Sequence, residues 1–238
     1  MQAFFNKRIL TIYWLVLLVH LVFQYFVLPY RAVTKPMLVP LLLTYLLLKD
    51  DNIGKPAGKF LFYIGLFLAF FGDVFLILIN DTFFLAGMVA FMLMNLFYSI
   101  SFLCLSPFRL SKSLPFFVSL VLLSSLAIWI YNGLAEGMGD YRMPVTIYLF
   151  SLIFLVGFAI NVTNNERHRK TALRFLVPGT VIFMMENILV AVNLFMLDKD
   201  KDVYIAIMFT YGLAQYLIVK GMRQAYLPTN VGGNGTPA

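Results

Sequence analysis

The sequence has few charged residues and a single cysteine. Asp, Glu, Lys and Arg together make up 12% of the 238 residues, whereas hydrophobic residues make up 61%. A soluble domain is about 45–50% apolar and about 25% charged, so one water-soluble core could not absorb this apolar excess. Cys104 has no second cysteine with which to form an internal disulfide. These shortages exclude a soluble enzyme, a disordered chain and a disulfide scaffold, and they leave a polytopic membrane protein.

Common catalytic motifs are also missing. The sequence contains neither G-x-S-x-G nor G-x-x-x-x-G-K-[ST], which excludes a nucleophile elbow and a P-loop. His20 and His168 fall in distant parts of the chain, so no histidine cluster offers a metal site. Gly72-Asp73 matches half of the Gly-x-Gly-Asp motif of intramembrane aspartyl proteases, but Phe70 replaces its first glycine. The sequence therefore disfavours a protease.

Long apolar runs predict an all-α bundle of eight transmembrane helices. Backbone groups in lipid must satisfy their own hydrogen bonds, and the alternating pattern of a barrel strand is absent. The second span is short and contains Pro36 and Pro40. We expect one transmembrane domain over residues 1–227, followed by a polar, glycine-rich, disordered tail over 228–238. The predicted spans are 9–28, 33–48, 60–79, 83–105, 114–131, 141–161, 171–197 and 203–220.

The basic residues indicate an orientation. If loops alternate between the two faces, most of the 18 Lys and Arg residues lie on the face that holds the N-terminus. The positive-inside rule then places both termini in the cytoplasm, and in a bacterium the membrane would be the inner one. This asymmetry accounts for the net charge of +7 without nucleic-acid binding. The opposite face receives only five basic residues: Arg31, Lys35, Arg142, Lys199 and Lys201.

Two acidic residues fall inside predicted spans. All but Asp73 and Glu186 of the 11 acidic residues lie in predicted loops. A charged residue at mid-membrane costs about 2.5–3.5 kcal/mol on insertion scales, so such residues usually face the bundle interior and mark function. Both lie about 20 Å from the cytoplasmic end of their spans, so they could meet. Small residues beside Asp73 would let another helix approach: Gly65, Ala69 and Gly72.

Other polar residues share helix faces with each other. Asn95 and Tyr98 lie on one face of the fourth span, and Tyr211 and Gln215 lie on one face of the eighth. We expect a polar pocket between the third, fourth, seventh and eighth spans. The alternative is that these side chains only join helices through hydrogen bonds.

Two carboxyls in one low-dielectric pocket do not both ionise readily, because desolvation and mutual repulsion favour the neutral acid. One can hold a proton while the other acts as a base. This arrangement suits acid-base hydrolysis and equally suits a proton-coupled transporter. A non-catalytic lipid-binding protein is a third possibility.

The motifs resemble the YhhN/TMEM86 family over nearly the whole chain. The matching segments, in order, are Lys35-Pro36, Gly72-Asp73-x-x-Leu76, Phe91 with Tyr98 and Phe102, Met143-Pro144-Val145 with Tyr148, Phe183-x-x-Glu186 with Phe195, and Tyr211-x-x-Ala214-Gln215-x-Leu217-Ile218.

The resemblance implies an eight-span lysoplasmalogenase that hydrolyses the vinyl ether of a lysophospholipid in the bilayer. It implies that Asp73 and Glu186 are the catalytic acids and that no cofactor or metal is needed. Lys35 lies towards the outer mouth, where it could hold the lipid phosphate, although interfacial snorkelling is an alternative. The residues expected to bind or orient the substrate are Asn95, Tyr98, Tyr148, Tyr211, Gln215 and Lys35.

Two positions depart from the family pattern. The family usually has Ser-Asp at Met185-Glu186 and a histidine at Asn95. Glutamate keeps the carboxyl but adds a methylene, and asparagine keeps hydrogen bonding but loses proton transfer. A related ether or lysolipid substrate, or a lost activity, therefore stays open.

Overall fold

The structure, a computed structural model, describes residues 2–48, 57–78, 80–197 and 199–226. These residues form long helices joined by short turns, with no strand among them, which confirms the all-α prediction. The predicted tail over 228–238 lies outside the described residues, as do five charged residues used in the sorting of loops: Lys49, Asp50, Asp51, Lys55 and Asp198. The helices are α1 (Gln2–Tyr25), α2 (Arg31–Leu47), α3 (Ala57–Phe75), α4 (Asp81–Leu105), α5 (Leu114–Met138), α6 (Arg142–Asn161), α7 (Glu166–Phe195) and α8 (Lys201–Ala225).

Among the described residues, six helical stretches are long and apolar enough to cross a membrane, so this is a multi-pass membrane protein. One of them, Leu114–Asn164, has 51 residues and contains both α5 and α6 with a 3-10 turn between them. The shortest long helix, α2, has 17 residues, which is about 26 Å at 1.5 Å per residue. That length falls slightly short of a typical hydrocarbon core of about 30 Å.

Several predicted boundaries are wrong because hydropathy measures contact with lipid, whereas a helix ends where its backbone hydrogen bonds end. Helix α5 continues beyond residue 131 to Met138, and the φ of +48° at the next residue, Gly139, ends it. Glu136 therefore lies on a helix, with its side chain exposed, and not in a loop. Helices α1 and α3 end earlier than predicted, at Tyr25 and Phe75.

The last two helices are also longer than predicted. Helix α7 begins at Glu166, and not at 171, because the Asn165 side chain caps it by accepting the backbone N–H of Arg167. His168 thus lies in the first turns of a helix and not in a loop. Helix α8 continues past Lys220 to Ala225, and the Lys220 ammonium donates a hydrogen bond to Tyr216 on its own helix.

A π-helical segment, Ala172–Leu176, interrupts α7 near its beginning. Pro178 follows it and has no N–H to donate to the carbonyl four residues earlier, which belongs to Arg174. The lost hydrogen bond explains the local change of helix type. Pro36 and Pro40, in contrast, are accommodated within a continuous α2.

Contacts between helices close a ring. Helices α1 and α2, α3 and α4, and α7 and α8 pack as consecutive pairs, and contacts of α2 with α3, α4 with α6, α6 with α7, and α8 with α1 join them. Helix α5 packs outside this ring against α6 and α7. The most extensive contact is between α3 and α4, where Gly65 faces the Tyr98 ring and Gly72 faces the Phe91 ring. The predicted small-residue face therefore serves this close approach.

The packing at Gly65 gives a testable prediction. A Cβ at Gly65 would lie 2.6 Å from the Tyr98 ring, whereas a Cβ at Gly133 on α5 would meet nothing within 4 Å. Gly65→Ala should lower the unfolding temperature of the detergent-purified protein, because overpacking costs about 1–3 kcal/mol. Gly133→Ala should leave it unchanged or raise it, because alanine is the better helix former. Equal unfolding temperatures for the two variants would contradict this close packing.

Candidate active site

Asp73 lies in the last turn of α3 and is fully buried. The Tyr211 hydroxyl, from α8, donates a hydrogen bond of 2.6 Å to Oδ2 of Asp73. The Lys35 ammonium, from α2, lies 3.6 Å from Oδ1 of the same carboxyl. Three helices therefore meet at this carboxyl, one supplying the acid, one a hydroxyl donor and one a cation.

Lys35 lies near the start of α2 and contacts a buried acid. Its side chain is only 18% exposed and its ammonium is paired with Asp73. Lys35 is also among the charged residues that interact electrostatically with Glu186. Simple snorkelling of the ammonium into the interface does not describe this contact. Arg142 donates from Nε to the carbonyl of Ala135 at 2.9 Å.

Glu186 lies in the middle of α7 and is 6% exposed. The side-chain amide of Asn187 donates a hydrogen bond of 2.8 Å to Oε2 of Glu186. The Tyr148 hydroxyl, from α6, donates to Oδ1 of Asn187 at 2.7 Å. Tyr148 thus reaches Glu186 through Asn187, which the sequence analysis did not single out. The only sequence feature that marks Asn187 is that it is a second polar residue, next to the acid, in an apolar span.

The two carboxyls share one electrostatic environment. Asp73 and Lys35 are the charged groups that act on Glu186, and Tyr211 interacts electrostatically with both acids. The rings of Phe91, Phe183 and Tyr211 form a triangle with centroids 6.2–6.5 Å apart. These rings come from α4, α7 and α8, and they give the site an apolar wall.

The remaining predicted site residues are buried inside the ring. The Tyr98 hydroxyl donates to Oε1 of Gln215 at 3.3 Å, which joins α4 to α8. The Asn95 amide donates to the Ser151 hydroxyl at 3.0 Å, which joins α4 to α6. Oδ1 of Asn95 and Oδ1 of Asp73 are both buried without a hydrogen-bond partner. Buried polar atoms are rarely left unpaired, so these two oxygens can each accept a hydrogen bond from a bound molecule.

The site thus extends beyond the predicted pocket. The shared helix faces predicted walls from the third, fourth, seventh and eighth spans, and Lys35 from α2 and Tyr148 from α6, which the family resemblance implies, also lie at the site. His20 lies apart from the carboxyls and contacts Thr34 at 2.7 Å. Within the described ranges, no three His, Cys, Asp or Glu side chains lie close enough together to hold a metal ion.

The chain matches one known protein family. The sequence profile of the YhhN family matches residues 30–222, which cover most of the chain and both acids. The chain belongs to the YhhN family. No curated protein and no solved structure gave a significant match. The paired acids of this YhhN protein therefore lie within the matched range, as do all the polar residues that contact them.

The Tyr211 hydrogen bond can be tested by stability. Tyr211→Phe removes the donor to a buried carboxyl, and an unsatisfied buried group costs about 1–3 kcal/mol, or more when it is charged. Tyr204→Phe is the matched control, because Tyr204 lies on the same helix and is 38% exposed. The unfolding temperature in detergent should fall for Tyr211→Phe and stay constant for Tyr204→Phe. An unchanged value for both would show that this hydrogen bond contributes nothing to the fold.

Proposed function

We propose that this YhhN protein is a membrane-embedded hydrolase that cleaves the vinyl ether of a lysoplasmalogen or a related lysolipid ether. The observation that supports the proposal best is the pair of buried carboxyls, Asp73 and Glu186, that interact inside the helix ring. Membership of the YhhN family is compatible with this activity. Intramembrane acids are costly to retain, and such residues usually serve a function.

The surroundings suit such a lipid. Phe91 and Phe183 give the acids an apolar neighbourhood that fits a hydrocarbon chain. Lys35 is partly exposed beside Asp73, where its ammonium can also meet a phosphate. A lysophospholipid carries its phosphate a few bonds from the ether, so one lysine can lie close to both groups. The substrate would enter from the bilayer, which is where it dissolves.

The proposed reaction needs one acid, one base and one water. The protonated carboxyl gives its proton to the alkene carbon remote from the ether oxygen, which leaves an oxocarbenium ion. The ionised carboxyl takes a proton from water as the water oxygen bonds to the cationic carbon. The hemiacetal then loses the glycerol oxygen, which leaves with a proton, and gives a fatty aldehyde and a glycerophospho-alcohol. Residues proposed to orient water or the ether oxygen are Asn95, Tyr98, Tyr148, Tyr211 and Gln215, and no cofactor takes part.

The activity test uses purified full-length protein with a lysoplasmalogen. The wild type should release aldehyde, and Asp73→Asn and Glu186→Gln should each lose at least about 100-fold in kcat, since proton transfer contributes about 10²–10⁴-fold. Asp81→Asn and Glu136→Gln are matched controls, because both acids are exposed. They should retain full activity.

Isotopes and analogues test the bond that breaks. In D2O the aldehyde should gain one deuterium at C2, and in labelled water its oxygen should come from the solvent. A saturated-ether lysolipid should not react, because it has no alkene to protonate. Full activity of either site variant would refute the assignment of the acids. No reaction of the wild type with vinyl-ether, ester or saturated-ether lysolipids would favour transport or lipid binding instead.

We also propose eight membrane crossings with both termini in the cytoplasm, as the distribution of basic residues predicts. Helices α5 and α6 are 25 and 20 residues long, so each is long enough for its own crossing. The 17 residues of α2 require only slight thinning of the bilayer. In a bacterial cell this would be the inner membrane.

Reporter fusions test this topology. Alkaline phosphatase fused after Asp140 or Asp200 should be active, because these turns are expected outside the cytoplasm. Fluorescent protein fused after Leu110 or Asn165 should fluoresce, because those turns are expected in the cytoplasm. The same side for Asp140 and Asn165 would show that α6 does not cross, and a full reversal would refute the proposed orientation.

A further inference from the structure

We propose that Lys35 and Tyr211 stabilise the ionised form of Asp73. At rest, Asp73 is then the carboxylate of the pair and Glu186 is the protonated acid that donates the proton. This inference rests on the proposed hydrolase function for its chemistry. The arrangement itself is testable without any activity, because it concerns which side chain carries a proton at rest. Lys35 would act through Asp73 and is therefore a positioning residue.

Each oxygen of the Asp73 carboxyl has a neighbour that stabilises a negative charge. Its Oδ1 lies 3.6 Å from the Lys35 ammonium, and its Oδ2 accepts the Tyr211 hydroxyl hydrogen at 2.6 Å. A buried charge is tolerated when it is paired and hydrogen-bonded. Asp73 has both a cation and a donor, so its ionised form is the one that these neighbours stabilise.

Glu186 has a neutral hydrogen-bond donor but no cation directly beside it. Its Oε2 accepts a hydrogen bond from the Asn187 amide, which is a neutral donor. In the part of the chain that the structure describes, Glu186 forms no salt bridge. Lys35 is the cation that acts on both carboxyls, and one cation balances one carboxylate. A second negative charge at Glu186 would be uncompensated in a low-dielectric interior, which favours a protonated side chain there.

Other groups around the two carboxyls do not alter this balance of one cation against one carboxylate. Tyr13 and Tyr98 interact electrostatically with Asp73, and a neutral phenol adds no charge. His20 interacts electrostatically with Lys35 and with Arg31. Arg31 begins α2 one turn before Lys35, which makes it a cation of the same helix that is not paired with Asp73. It therefore offers a matched control.

This assignment defines the roles of Glu186 and of the two Asp73 oxygens in the proposed reaction. Glu186 donates its proton to the alkene carbon. Oδ1 of Asp73 accepts no hydrogen bond from the protein, so it is the oxygen that takes a proton from the attacking water. Oδ2 stays on the Tyr211 hydroxyl, which holds the carboxylate in place during the transfer.

Infrared spectroscopy of the full-length protein in detergent at neutral pH tests the assignment. A protonated carboxyl has a C=O stretching band that a carboxylate lacks. The wild type should show one such band, and Glu186→Gln should remove it. Lys35→Met should add a second band, which the double variant Lys35→Met/Asp73→Asn should lack. Lys35→Arg, which keeps the cation, and Arg31→Met, which removes a neighbouring one, should give the wild-type spectrum.

Each contrary spectrum would overturn the proposal. A band that persists in Glu186→Gln and disappears in Asp73→Asn would reverse the two roles. No band in the wild type would mean that neither acid is protonated, and an unchanged spectrum in Lys35→Met would remove Lys35 from the assignment. If Lys35→Met does not fold, the comparison of wild type with Glu186→Gln still decides the role of Glu186.

Kinetics separate this role of Lys35 from phosphate binding. If Lys35 acts through Asp73, Lys35→Met should lower kcat about 100-fold in addition to any rise in KM from the lost phosphate contact, while Arg restores most of the activity. A raised KM with unchanged kcat would show that Lys35 only binds the lipid phosphate and would overturn its positioning role. A wild type that cleaves no ether lysolipid would refute the hydrolase, yet the infrared spectra would still decide the protonation of the two acids.

Discussion

The pairing of a buried carboxyl with partners from other helices is the constraint on which the rest of this structure depends. Asp73 lies on α3, but its cation comes from α2 and its hydroxyl donor comes from α8. Because the hydrocarbon of the bilayer offers no hydrogen-bond partners, these groups must be brought together by the fold. The contacts of α2 with both α3 and α8 do this. Packing of α2 against α3 and α8 therefore brings Asp73 together with its cation and its hydroxyl donor.

The small residues of α3 allow this geometry. Gly65 and Gly72 let α4 approach closely, so that the rings of Tyr98 and Phe91 lie directly against α3. Tyr98 then reaches Gln215 on α8, and Phe91 packs against Tyr211 and so supports the donor to Asp73. Packing and polar contacts are thus coupled, since a wider separation of α3 and α4 would shift both.

The sequence predicted the helical class and the two buried acids, because a charge in an apolar span is conspicuous. It did not predict the contact of Lys35 with Asp73. Lys35 lies near the start of a short span, where a snorkelling side chain and an inward one have the same sequence signal, and only the packing of α2 decides between them. Asn187 was missed for a similar reason, since Tyr148, which donates to its side chain, comes from another helix, α6. Helix ends such as those of α5 and α7 could not be found from hydropathy, because a cap or a positive φ determines them.

Asn95 stands where the family resemblance implies a histidine, and this affects how protons are transferred in the proposed reaction. Asn95 cannot transfer a proton, so the proposed cycle must close with the two carboxyls alone. It does so if each acid acts twice. Glu186 gives a proton to the alkene carbon and recovers one from the hemiacetal hydroxyl, while Asp73 takes a proton from water and gives it to the departing glycerol oxygen. Both side chains end as they began, and Asn95, held by Ser151, is needed only as a hydrogen-bonding group.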